Sequence, residues 1–145
     1  MKKLVSYATL MVVVLSVPVL FAQKVTTPEG LDAAMKKIGA GIGATQKAIA
    51  SNAFADAKGQ LPALRQAFVD SENFWTEKKK ADAVAFTKDT IAKIDALDRA
   101  LGAGTPDSAA VTAAFKEVGG SCRGCHMTYR AQENGAFVIK PGMVD

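Results

Sequence analysis

Apolar residues recur along most of this chain at alternating steps of three and four, the spacing that puts them on one face of a helix. Leu31, Met35, Ile38, Ile42 and Ile49 form the first such stripe, with Thr45 filling its one gap. It predicts a helix over 28–50, capped by Thr27, with Pro28 at its first position and Glu29 in its first turn. Phe54, Ala57, Leu61, Leu64, Phe68, Ser71 and Trp75 predict a second helix over 53–77, in which Gly59 and Pro62 should cause a kink or a local restart. Val84, Thr87, Ile91, Ile94, Leu97 and Leu101 predict a third over 80–101, ended by Gly102 and Gly104. Thr105-Pro106-Asp107 opens a fourth, with a cap, a proline and an acid in order. Its stripe is Val111, Phe115, Val118, Cys122, Cys125 and Tyr129.

Four amphipathic helices with short connections imply an all-α fold, an antiparallel up-down-up-down four-helix bundle. Beyond Gly135 the helical pattern stops, and residues 134–145 read as a tail. There Phe137, Val138 and Ile139 either fold back over the bundle or stay loose. The N-terminus has a different pattern. Lys2 and Lys3 precede a mostly apolar run from Leu4 to Phe21, with Pro18 near its end and Ala22-Gln23 as a cleavage point. This is the layout of a secretory signal peptide over 1–22; an uncleaved anchor is the competing reading. Residues 23–145 then form one domain in the periplasm, without stable membrane association after cleavage.

Charge narrows the function classes. The formal net charge is +4, from 18 basic and 14 acidic residues. Lys2 and Lys3 account for part of that excess and leave with the leader. No stripe of basic and aromatic residues marks a nucleic-acid surface. Lys78-Lys79-Lys80 reads first as a solvated turn between two helices, and second as an attractant for an acidic partner.

The chain has two cysteines and one histidine, all within Cys122-Arg123-Gly124-Cys125-His126. A Cys-x-x-Cys-His run is the attachment signature of a c-type haem, because each thiol can add to a haem vinyl group and the imidazole then meets the iron. A thioredoxin-like dithiol expects a βαβ setting, which the pattern lacks. A structural zinc wants four ligands, and three are present. A local disulfide in an oxidising compartment stays open. Because both cysteines fall on the inward stripe of the fourth helix, one haem c would sit within the bundle. Gly119 and Gly120, one turn earlier, would leave it room.

With these residues in place, the chain resembles a class II c-type cytochrome, the cytochrome c′ and cytochrome c-556 family. The resemblance is specific over residues 118–130, from Val118 to Arg130, and looser over Ala34-Met35-Lys36-Lys37-Ile38-Gly39. Glu72-Asn73-Phe74-Trp75 and Phe137-Val138-Ile139-Lys140-Pro141-Gly142 resemble a bacterial subgroup. The resemblance implies thioether bonds at Cys122 and Cys125 and His126 as proximal iron ligand. It also places Met35 where the family carries its distal residue. Leu31 stands where the family often has an arginine near the haem propionates, which leaves Arg130 as the candidate propionate contact.

The sixth iron position separates the functions such a fold serves. With one histidine, bis-His ligation within one chain is excluded. Met127 neighbours His126 on the same helix, and Met143 lies in the tail, so Met35 is the distal ligand the sequence favours. The expectation is an electron carrier with transient redox partners and no enzymatic turnover, since no nucleophile–base pair is present. Two rivals stand: a five-coordinate protein that binds nitric oxide or carbon monoxide, with Met35 a core filler, and a non-haem bundle with a disulfide. Homodimer formation stays open.

Overall fold

A computed structural model describes residues 24–144; the leader expected over 1–22 lies outside them. Four helices follow in order: α1 (Pro28–Ala50), α2 (Phe54–Glu77), α3 (Ala81–Leu101) and α4 (Ser108–Tyr129). Each packs mainly on its neighbours in sequence, α1 on α2, α2 on α3, α3 on α4, as short connections in an antiparallel bundle require. Contact between α1 and α4 is much sparser, so the ring of helices is loosest along that seam.

The expected stripes are the buried ones, including Leu31, Ile38 and Ile49 on α1, Leu61, Leu64 and Phe68 on α2, and Ile91, Ile94 and Leu97 on α3. They form two clusters. The larger lies towards the α1–α2 and α3–α4 connections and is built mostly of aliphatic residues, with Leu64, Ile94, Leu97, Val111 and Val118 at its centre. The smaller lies at the opposite end and gathers Leu31, Phe74, Trp75, Ala83 and Tyr129. Phe74 meets Trp75 edge-on at 4.9 Å, and Trp75 meets Tyr129 at 4.6 Å between ring centroids.

Local signals set most boundaries. The Thr27 hydroxyl accepts from the Gly30 N–H at 3.1 Å and starts α1. For α4 the cap is Asp107 rather than Thr105: its carboxylate accepts from the Ala110 N–H at 2.7 Å, and Pro106 stays outside the helix. No restart occurs at Pro62; α2 runs unbroken through it. Pro62 sits on the exposed face, where water can solvate the carbonyl it leaves without a donor, while Leu61 and Leu64 hold the turn against the core.

The tail differs most from a helical reading. Strand β1 (Arg130–Glu133) continues directly from α4 and pairs antiparallel with β2 (Ala136–Ile139). Residues 134 and 135 are its two-residue turn, not the start of a separate tail. Asn134 and Gly135 take φ of 49° and 83°, the left-handed pair that a type I′ turn demands. The hairpin is fastened at its end. The Lys140 N–H donates to the Tyr129 carbonyl at 2.8 Å, and the Lys140 ammonium donates to the Met127 carbonyl at 2.6 Å, so a cation caps the C-terminus of α4. Ile139, Met143 and Val144 pack on the aromatic cluster.

Candidate functional site

The Cys-x-x-Cys-His run occupies the last two turns of α4, at the aromatic end of the bundle. Helical spacing sets its display. Positions 122, 125, 126 and 129 share one side of the helix, with 119, 123, 127 and 130 beside them. Cys122 touches the aliphatic cluster and Cys125 the aromatic one, so the two thiols straddle the join between the clusters. Both are free and half-buried. Burial raises the Cys122 thiol and pushes Cys125 up to about 11, with Asp82 and Cys122 adding to the latter.

Cys122 and His126 line one open cavity of about 530 Å³, together with Gly119, Arg123, Arg130 and, from the hairpin, Gln132 and Phe137. Burial, and then the Arg130 guanidinium, lower the affinity of His126 for a proton. That keeps the imidazole neutral, the form that binds a metal.

Helix α3 supports the run from behind. The Phe86 ring presses on Gly124, where a Cβ would lie 2.7 Å from its nearest atom, so the spacer must be glycine for this approach. Thr90 and Ser121 share a hydrogen bond of 2.8 Å between α3 and α4. The buried Tyr129 hydroxyl donates to Asp82 Oδ1 at 2.6 Å. Tyr129 is thereby raised to about 12, by burial first and then by that bond, and Asp82 is held below the usual carboxylate range by the same bond.

The expected site residues divide into two groups. Cys122, His126 and Arg130 come together at the cavity, and Cys125 faces inward beside Tyr129. Met35 is half-buried on α1 and is absent from that lining, yet it is the one α1 residue that packs on both clusters, between which the thiols are divided. Arg130 is exposed and stacks over Phe137 at 4.3 Å from the ring centroid. The sequence reading missed Phe86, Asp82, Gln132 and Phe137 as parts of the site. For the last two, Asn134-Gly135 was an available hairpin signal.

These residues fit a covalently held haem. Two inward thiols sit one helical turn apart with a neutral imidazole beside them, and Cys122 and that imidazole line an open cavity. The buried Trp75 Nε1–H of the adjoining cluster has no acceptor among the described residues. No cluster of three or more His, Cys, Asp or Glu converges on a bare metal ion among the described residues.

A bundle with this motif at the end of its fourth helix defines a haem-binding cytochrome. The family model for cytochrome c′ matches residues 29–130, from the first turn of α1 to the end of α4, and the chain belongs to that family. The family carries a covalently bound c-type haem. Neither the curated proteins nor the solved structures include a match to this chain. The family match ends where the hairpin begins.

Proposed function

We propose that the protein is a periplasmic electron carrier holding one haem c, with His126 and Met35 as axial ligands. The observation that carries this reading is the position of Met35, the α1 side chain that reaches both clusters between which the thiols are divided. A bound haem supplies a one-electron ferric/ferrous couple, and a thioether opposite an imidazole raises its potential. Cys122 and Cys125 would hold the group by two thioether bonds to α4, and His126 would bind the iron. Met35 is half-buried and packs on both clusters, so its side chain is held in place on α1, which favours electron exchange over ligand binding. The only histidine is committed to iron in this reading, which is of a carrier without substrate turnover.

The periplasmic assignment draws on the leader-like residues 1–22. Electron donors and acceptors are other redox proteins, met through small transient contacts.

The test is one purified sample of the full chain from a host that attaches c-type haem. Haem absorption retained after denaturation, together with rapid exchange of one electron with a redox mediator and no carbon monoxide shift in the ferrous protein, supports the carrier. A ferrous spectrum that shifts with carbon monoxide supports the gas-binding alternative, and a haem-free product supports the disulfide-bearing bundle.

A further inference from the structure

The cavity beside His126 has one wall that the family match does not include. Gln132 and Phe137 stand opposite each other in the hairpin register, and both face the cavity. Phe137 is 60% exposed, an unusual position for a large ring whose strand neighbours Val138 and Ile139 are half-buried. What it touches is Arg130, whose guanidinium lies 4.3 Å from the ring centroid. The two residues are diagonal neighbours across the strands, since Arg130 pairs with Ile139, two residues on from Phe137.

Arg130 occupies a junction. Its N–H donates to the His126 carbonyl as the last helical bond, and its own backbone is already extended, at φ −98° and ψ 131°. A long exposed side chain at such a junction normally samples solvent. Here the ring holds it on the cavity side, four residues from His126, which lines the same cavity. The lining contains no carboxylate to neutralise it, and Glu133 belongs to the other face of the hairpin. Six ion pairs occupy other cations of the described residues, but Arg123, Arg130 and Lys140 appear in none.

The geometry points to Phe137 as a positioning residue that holds the Arg130 charge beside the His126 side of the haem site and so raises its reduction potential. A fixed cation near the iron's ligand favours the more electron-rich ferrous state. A cation–π contact at an exposed site is modest, yet enough to bias one rotamer of Arg130 without burying it. The lysine clamp on Met127 serves the same end, because it fixes the hairpin, and with it the ring, to α4. The inference rests on haem bound through Cys122, Cys125 and His126.

Optical redox titration of the full-length holoprotein tests it, with Phe137→Ala, Phe137→Tyr, Arg130→Gln and the Phe137→Ala/Arg130→Gln pair. The midpoint potential is expected to fall in Phe137→Ala, to fall at least as far in Arg130→Gln, to fall no further in the pair, and to stay at the wild-type value in Phe137→Tyr. The difference between wild type and Phe137→Ala should shrink as salt is raised, because an exposed charge is screened. An unchanged potential in Phe137→Ala, or an equal fall on the Arg130→Gln background, overturns the inference while the covalent haem band stays intact. Loss of that band in the wild type overturns the haem reading itself.

Discussion

The two ends of the bundle are built from different materials. The end near the α1–α2 and α3–α4 connections is closed by aliphatic side chains, with Leu64, Ile94, Leu97, Val111 and Val118 almost wholly buried. The end that carries the haem motif is aromatic. It holds Cys125 and His126, with Cys122 at its join with the aliphatic cluster, and a cavity lined by Cys122, His126 and the hairpin. Each end has an open cavity, and each has a buried polar atom without a partner among the described residues, Thr45 Oγ1 at one and Trp75 Nε1 at the other, so the ends differ in the chemistry they carry rather than in how well they close. The aliphatic end holds the four helices at a fixed spacing, and the motif end presents chemistry on that frame.

The sharpest way to break this division is to remove chemistry from one end. Cys122→Ser with Cys125→Ser should abolish haem retained on a denaturing gel, while single substitutions keep one thioether and part of the signal. Retention in the double variant would mean that the motif is not the attachment site. At the other end, Leu64→Ala should cost about 2–5 kcal/mol, the range for a buried leucine whose cavity closes only in part. Denaturant unfolding reads that loss, and the haem spectrum of the folded fraction should not change. A shifted spectrum would show that the two ends are coupled.

A smaller effect lies at the join of α3 with the motif. The Tyr129 pKa of about 12 is above its ordinary value near 10. A group raised on folding adds stability that is complete below the unfolded value and is lost as pH rises through the folded one. Stability should therefore fall between about pH 10 and pH 12. Tyr129→Phe should remove that part of the decline and lower stability at neutral pH by about 1 kcal/mol, the net worth of a typical hydrogen bond. If unfolding midpoints across this range are the same in both proteins, the Tyr129–Asp82 bond contributes nothing. Smallest is Gly135→Ala in the hairpin turn, expected to cost about 1 kcal/mol because φ there is +83°. Amide exchange should quicken in β1 and β2 and not in the bundle.

The sequence was most readable at the aliphatic end. There the alternation of three and four is set by burial alone, so Leu61, Leu64, Ile94 and Leu97 announce both the helices and their inner faces. The motif was readable too, since two cysteines and the only histidine in five residues admit few chemistries. Its surroundings were not. Phe86 on Gly124 and Tyr129 on Asp82 join α3 to α4, and no local pattern reports which side chains two packed helices bring together. At Pro62 propensity foresaw a kink or a restart, and the restart did not occur because core packing on the opposite face kept the helix whole. The hairpin escaped because helical periodicity was followed to the end of α4, whereas its one strong signal, Asn134-Gly135, is a turn signal. That omission removed Phe137 and Gln132 from the candidate site and left Arg130 as a propionate contact alone.

The role of Met35 joins fold to function, and the ferric and ferrous absorption spectra of the wild type and Met35→Ala test it most directly. The account predicts a low-spin wild type with a methionine–iron charge-transfer band. In Met35→Ala that band should vanish, and carbon monoxide should bind the ferrous protein. A high-spin wild type that already takes up carbon monoxide would contradict it.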